Sequence, residues 1–210
     1  FGHHDDTNYG IGWEGDEGRS DVKSVCGDYP AVISFDLGHI ELGDTMSLDK
    51  VPFTKIRKEI LNQYKRGGMS SLSWHLRNPL TGGDSWDVSD TTVVKSILPG
   101  GANYDKFAGW VSKVSAFINS LQTEEGVKVP VLFRPWHEHT GSWFWWGEKL
   151  CTPEEYKALW HMTVDILRSD GVDNALYAYS PGSEPQDTAQ YLKRYPGDEL
   201  IDLIGFDTYQ

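Results

Sequence analysis

The stretch Arg134-Pro135-Trp136-His137-Glu138-His139-Thr140-Gly141-Ser142-Trp143-Phe144-Trp145-Trp146-Gly147 concentrates the groups that could do chemistry: one carboxyl, two imidazoles and four of the nine tryptophans. A single tryptophan here could simply pack the rim of a fold. Four beside an ionisable glutamate point to a binding platform, because flat indole faces stack on the apolar faces of sugar rings while polar neighbours take the hydroxyls. A carboxyl walled by indole rings loses hydration, which disfavours its charged form and moves its pKa up toward the working pH. Glycoside hydrolysis needs such a group to protonate the departing oxygen, and a second carboxylate to attack or to activate water. Glu138 is the candidate acid, weighed against a structural salt bridge.

His137-Glu138-His139 also invites a zinc reading. A zincin needs His-Glu-x-x-His on one helix face. Here the position of the second histidine is Gly141, and in an extended segment leaving a strand the two imidazoles would point apart. Neither a metal nor a cofactor is expected.

These groups must be positioned by regular elements. Short apolar runs bounded by Gly, Pro and polar residues at 31–36, 72–75, 129–134, 175–179 and 200–206 read as strands covered on both faces, with Phe1-Gly2-His3 as the tail of an earlier one. Pro52 suits a first helical residue, followed by apolar Phe53, Ile56, Ile60 and Tyr64 and stopped by Gly67. Phe107, Val111, Val114, Ile118 and Leu121 form one buried stripe over 104–122. Thr152-Pro153-Glu154-Glu155 is a capping box opening a helix to about residue 169. Strands alternating with helices indicate βα units and a parallel sheet. Asp36, His75, His137, Glu138 and Asp207 all fall at or just beyond strand C-termini, where a (β/α)8 barrel builds its active site. A doubly wound sheet is the competing architecture, disfavoured because no glycine-rich phosphate loop follows the first strand.

Composition narrows the partners. Among 210 residues, 31 acidic against 19 basic side chains leave a formal charge of −12, which argues against nucleic acid or an anionic membrane as partner. No apolar run is long enough to span a bilayer, and no signal peptide opens the sequence, so any export sequence is expected to have been removed. Hydrophobic residues at 39% and 27 aromatic rings, from nine Trp, ten Tyr and eight Phe, exclude a disordered acidic tail. Cys26 and Cys151 are too few for a disulfide scaffold. Cys26 is expected near the lower face and Cys151 near the upper, too far apart to pair.

The motif Arg134-Pro-Trp-His137-Glu138, followed by Gly141-Ser-Trp143-Phe-Trp-Trp146-Gly147, resembles the acid/base segment of glycoside hydrolase family 26, the β-mannanases. Phe1-Gly-His-His-Asp-Asp-Thr-Asn-Tyr-Gly10 is similar to the end of that family's first strand, Ser73-Trp74-His75 to its third and Gly205-Phe-Asp-Thr-Tyr209 to its sixth. The resemblance covers essentially the whole chain. It implies a retaining (β/α)8-barrel glycosidase, with Glu138 as acid/base and His137 near the sugar 2-hydroxyl. Trp143 would stack on sugar at the cleavage point, and His75 would line the non-reducing side. Tyr209 would hold the nucleophile and Arg134 would lie beneath it, keeping that carboxylate ionised. Trp146 completes the expected substrate-binding set, and Asp207 would either orient these groups or serve a buried structural role.

An eight-stranded barrel takes about 250 residues, so residues 1–210 read as a single catalytic barrel domain truncated at both ends. Strands one to six are expected, with strands seven and eight missing and the nucleophile beyond Gln210. Such a segment alone is expected to be inactive and, with two open sheet edges, unstable. Asp36, Asp198, Asp202 and Glu184 have no match to the nucleophile and are expected as caps, salt bridges or solvated charges. The long connection 78–103 should wall the cleft, with Trp86 either a sugar contact or a loop anchor. The resemblance implies a secreted, periplasmic or cell-surface bacterial enzyme, monomeric when complete, that cleaves β-mannan or manno-oligosaccharides. A related glycanase on xylan or mixed-linkage glucan, and a non-catalytic mannan-binding relic, remain the alternatives.

Overall fold

The computed structural model describes residues 2–4, 7–10 and 12–209. One parallel sheet follows the order of the sequence: β1 (Gly2–His4), β2 (Val32–Asp36), β3 (Met69–Ser73), β4 (Val131–Arg134), β5 (Ala175–Tyr179) and β6 (Leu203–Ile204). The intervening helices are α1 (Asp21–Cys26), α2 (Phe53–Lys65), α3 (Val93–Ile97), α4 (Tyr104–Asn119), α5 (Pro153–Ser169) and α6 (Thr188–Leu192). A doubly wound sheet reverses its strand order at a switch point. Here every strand pairs with its predecessor and the order never reverses, so the architecture is α/β, with six strands of a (β/α)8 barrel. Phe1, assigned from the sequence to the first strand, lies outside the described residues, as do Asp5, Asp6, Ile11 and Gln210.

Strand register explains where polar residues fall. Phe35 pairs with Leu72, Leu72 with Phe133 and Phe133 with Tyr177, giving an apolar row of buried side chains. One residue on, where side chains point to the other face, Asp36, Ser73 and Arg134 stand side by side. One face therefore feeds the core against the helices, and the other carries a polar row at the strand ends.

The helices seal the apolar face. All five residues of the expected α4 stripe are fully buried. α5 starts as expected: the Thr152 hydroxyl accepts from Glu155 N–H, and the Glu155 carboxylate accepts from Thr152 N–H. In α2, Pro52 precedes the helix rather than opening it, and the buried face is Ile56, Glu59, Ile60 and Gln63, with Tyr64 outside. Gln63 is buried because its amide donates to the carbonyls of Pro30 and Ala31, which fixes the entry to β2.

Two strands differ from expectation. β3 begins at Met69 rather than residue 72, because Ser70 and Ser71 are small enough to be buried within the sheet. β6 is confined to Leu203–Ile204 with both side chains exposed, since it pairs only with β5 among the described residues. The connection 78–103 is not structureless: it holds α3, whose Val93, Val94 and Ile97 are buried. Both cysteines are free, as anticipated; Cys26 is exposed and Cys151 buried. No helix among the described residues is long and apolar enough to cross a membrane.

Candidate active site

Beyond β4 the chain turns immediately instead of running on extended. Trp136 (φ 55°) and Glu138 (φ 53°) both adopt the left-handed conformation, which costs a non-glycine residue about 1–3 kcal/mol and persists only where surroundings over-determine it. Four consecutive carbonyls show how that is done. Trp136 O accepts from the Tyr156 hydroxyl at 2.7 Å and His137 O from Trp146 Nε1 at 2.9 Å. Glu138 O accepts from Gly141 N–H at 3.1 Å, and His139 O from Arg194 Nη1 at 2.5 Å. Glu138 N–H in turn donates to Ser180 O at 2.7 Å, tying the turn to the end of β5. Every peptide from 136 to 139 is thus clamped by a different donor.

The clamp delivers the Glu138 carboxyl to the strand ends. Its Oε2 accepts from Trp143 Nε1 at 2.8 Å and its Oε1 from the Tyr209 hydroxyl at 2.5 Å. Glu138 is 8% exposed, whereas Trp143 keeps 39% of its surface open. The hydrogen bond to Glu138, together with burial and the Glu138 charge, pushes the Tyr209 hydroxyl up to about 12, so it stays a donor at neutral pH. A carboxyl fixed by two donors beside an open indole face can exchange a proton with a molecule resting on that face. The resemblance placed Tyr209 against the nucleophile; in this structure its partner is Glu138.

A second cluster stands beside the first. Asp36 is buried, and its Oδ1 accepts from Gly38 N–H (2.7 Å) and His75 N–H (3.1 Å). Its Oδ2 takes the Ser73 hydroxyl (2.7 Å) and lies 2.6 Å from His75 Nδ1. Burial alone would raise the Asp36 carboxyl, but the bond and charge of His75 outweigh it and hold the group well below the usual carboxylate range. Burial likewise opposes protonation of His75, and the bond and charge of Asp36 outweigh it and raise the imidazole. On its far side, His75 Nε2 lies 3.0 Å from His137 Nε2. His137 itself is pulled well below its ordinary value by burial and by the charges of Arg134 and His75. Trp86 stacks flat on His75, at 5.5 Å between centroids and 10° between planes, and remains 52% exposed. Its loop is docked through Ser85 O, which accepts from Trp145 N–H at 3.1 Å.

Arg134, at the end of β4, pairs with Asp207 (Nη1 to Oδ2, 2.8 Å), and the same oxygen accepts from the Ser180 hydroxyl at 2.6 Å. Burial raises the Asp207 carboxyl against the opposing Arg134 charge. The ends of β4, β5 and β6 are joined through this one carboxylate.

Glu138, Trp143 and Tyr209 thus meet directly, His75 and His137 meet beside them, and Arg134 joins through Asp207. Trp146 requires correction as a sugar contact. It has no exposed surface, stacks on Phe144 at 4.5 Å and supports the His137 carbonyl. His137 was expected to meet a sugar 2-hydroxyl, but it is buried and turned toward His75. His137 and His139 do diverge, though through a tight turn rather than an extended segment: His139 lies between Tyr156 and Tyr179 at 4.4 and 4.8 Å. Asp36 is a salt bridge, as weighed from sequence, but a buried one that grips a cleft residue. Ser180, Tyr156 and Arg194 went unread, because each acts on backbone or a side chain distant in sequence. The in-register alternation of Asp36, Ser73 and Arg134 was the available signal for Asp36.

With this geometry the comparisons agree. The family model for glycosyl hydrolase family 26 matches residues 3–210. A mannan endo-1,4-beta-mannosidase of Bifidobacterium adolescentis is 38% identical over all of this chain and 21% of its own length. A Bacillus subtilis mannan endo-1,4-beta-mannosidase is 27% identical over 90% of the chain and 52% of its own. Among solved structures, a GH26 beta-mannanase from Bacteroides ovatus superposes with TM-score 0.98 at 65% identity, covering 100% of this chain and 61% of that one. A Cellulomonas fimi endo-beta-1,4-mannanase superposes with TM-score 0.88 at 35% identity, covering 99% and 48%. The chain spans only about a fifth to three fifths of these proteins. A left-handed, clamped Glu138 at the end of β4 and a family match along nearly the whole sequence lead to one statement: this chain belongs to glycosyl hydrolase family 26.

Proposed function

We propose that this chain carries the acid/base half of an endo-β-1,4-mannosidase that hydrolyses mannan, galactomannan or glucomannan with retention. The observation that carries this is the Glu138 carboxyl, fixed between Trp143 Nε1 and the Tyr209 hydroxyl at the edge of an open indole face. A mannosyl ring resting on Trp143 would bring its glycosidic oxygen to Glu138. Glu138 would protonate that oxygen as the bond breaks, then deprotonate the water that releases the glycosyl-enzyme intermediate. Retention requires a second carboxylate as nucleophile, about 5–5.5 Å from the first, and no residue of this chain is assigned that role. Arg134, anchored by Asp207, would supply positive charge next to that carboxylate and keep it ionised. The substrate reading draws on the mannanase relatives, and the cleft needs no cofactor for this chemistry. On this reading the substrate is a polymer too large to cross a membrane, which favours a secreted, periplasmic or cell-surface enzyme that serves polysaccharide degradation, acting as a monomer.

The test is release of manno-oligosaccharides from mannan by the complete natural polypeptide, compared with Glu138→Gln. The parent should cut mannan, and the variant should lose about 10²- to 10⁴-fold in rate, the range of a positioned acid/base, with unchanged thermal stability. A parent that binds mannan without cutting it, or a variant that keeps its rate, overturns the reading.

A further inference from the structure

Asp36 is buried beneath the cleft, ends a strand two positions away from the one that carries Glu138, and touches neither Glu138 nor the open indole faces. Yet it spends both oxygens on His75: Oδ1 on the backbone N–H at 3.1 Å and Oδ2 on Nδ1 at 2.6 Å. Gly38 N–H and the Ser73 hydroxyl complete its shell at 2.7 Å each, so the carboxylate has no freedom to swing away. The four acceptor bonds satisfy every lone-pair site of the buried carboxylate, and they leave one orientation for the imidazole.

The other edge of the ring is constrained as well. His75 Nε2 and His137 Nε2 are 3.0 Å apart, a distance that accommodates one hydrogen between the two nitrogens and excludes two. Because ionised Asp36 can only accept, His75 Nδ1 must carry a hydrogen. The ring is then either neutral, accepting from His137 at Nε2, or doubly protonated, donating to His137. Without the carboxylate the hydrogen could move to His75 Nε2, and a His137 ring protonated at its own Nε2 would then oppose it.

We propose that Asp36 is a positioning residue for the reaction: by binding Nδ1 it locks His75 in one orientation and retains a second proton at His75 Nε2, on the line to His137, beside the working carboxyl Glu138. This inference rests on the mannosidase reading of the site. The aromatic setting fits it, since Trp86 lies flat on the His75 ring and Phe144 closes the ring's edge at 5.2 Å. Trp86 thus covers one face of the His75 ring, while the ring's Nδ1 edge is fixed from below by Asp36. The charged groups around His75 come from several elements: Asp36 from β2, His4 from β1, Asp49 from the loop before α2, Arg134 from β4, and His137 and Glu138 from the turn after it. Of these, Asp36 makes the contact through which protonation of His75 is favoured. The raised imidazole and lowered carboxyl agree with that pairing.

The experiment compares the complete natural polypeptide with Asp36→Asn. The His75 ring is titrated by nuclear magnetic resonance, assigned with His75→Gln, and kcat/KM on mannan is followed from pH 5 to 9. The expected result is a His75 midpoint lower by at least about one unit in Asp36→Asn, which is tenfold less imidazolium at a given alkaline pH. The alkaline limb of kcat/KM should fall with it, while the loss near pH 5 is smaller. An unmoved His75 midpoint, or an equal loss at every pH, overturns the proposal, the latter being what a structural role would give. Should Asp36→Asn fail to fold, the unsubstituted protein decides: above its midpoint, neutral His75 should carry its hydrogen on Nδ1, and a hydrogen on Nε2 overturns the proposal. If the parent does not cut mannan, the substrate reading fails by itself, and the His75 titration still rules on Asp36.

Discussion

Trp143 and Trp146 lie three residues apart in one loop, and the fold treats them oppositely. Trp143 leaves 39% of its surface open and spends its indole N–H on the Glu138 carboxylate. Trp146 is fully buried, packs against Phe144, Trp136 and Trp145, and spends its N–H on a backbone carbonyl. The same side chain is a tool in one place and a brace in the other. What separates them is not composition but whether the ring's face is already covered by neighbours. The brace matters to the tool, because the carbonyl that Trp146 holds belongs to His137, directly before the left-handed Glu138.

The contrast can be broken by experiment. Trp146→Ala should cost about 3–5 kcal/mol of unfolding free energy, as expected for emptying a buried aromatic site, measured by denaturant titration. Trp143→Ala should leave stability within about 1 kcal/mol of the parent but lower kcat/KM on mannan by about 10- to 100-fold, the value of one lost ring-burying contact. If both variants lose stability equally, the division between tool and brace is wrong.

The braced region also holds a histidine whose two ring nitrogens have no hydrogen bond to any described residue: His139, pulled well below its ordinary value by burial and by the Arg194 charge. An unfolded histidine binds a proton near pH 6.5, while a folded one with a depressed value does not. Its contribution to stability is therefore complete above that pH and lost as pH falls through it. The slope is up to about 1.4 kcal/mol per pH unit. Stability of the parent and of His139→Phe, followed by urea titration from pH 7 to 5, should show the variant losing less on acidification. Parallel curves would contradict the burial of a neutral ring there. The smallest effect is expected at the rim. Trp86→Ala should lower kcat/KM on short manno-oligosaccharides by about two- to fivefold, as for one partly covering aromatic contact, with stability unchanged. Lost stability with full activity would make Trp86 a loop anchor instead.

Much of the scaffold was legible because its signals are local. The α4 stripe, the Thr152 capping box and the β2 and β5 runs depend on spacing and capping chemistry within a few residues, and each appears where the pattern puts it. Met69 to Ser71 were unread as strand because serine has weak strand preference, and only pairing with β2 and β4 makes burial favourable. The α2 face was misread at Tyr64 because the burial of Gln63 depends on two carbonyls some thirty residues away.

Residue type and order were sufficient to nominate Glu138 as the acid, to place it at a strand C-terminus and to tie it to an aromatic platform, since carboxyl chemistry and strand polarity are local properties. Only the tertiary structure decided which tryptophans face outward, that Tyr209 meets Glu138, and that Asp36 binds a histidine 39 residues along the chain. Those outcomes depend on which donors from α5, from the segment after α6 and from the far strands arrive at each carbonyl and carboxylate. Such arrivals are settled by packing, which one-dimensional order does not carry.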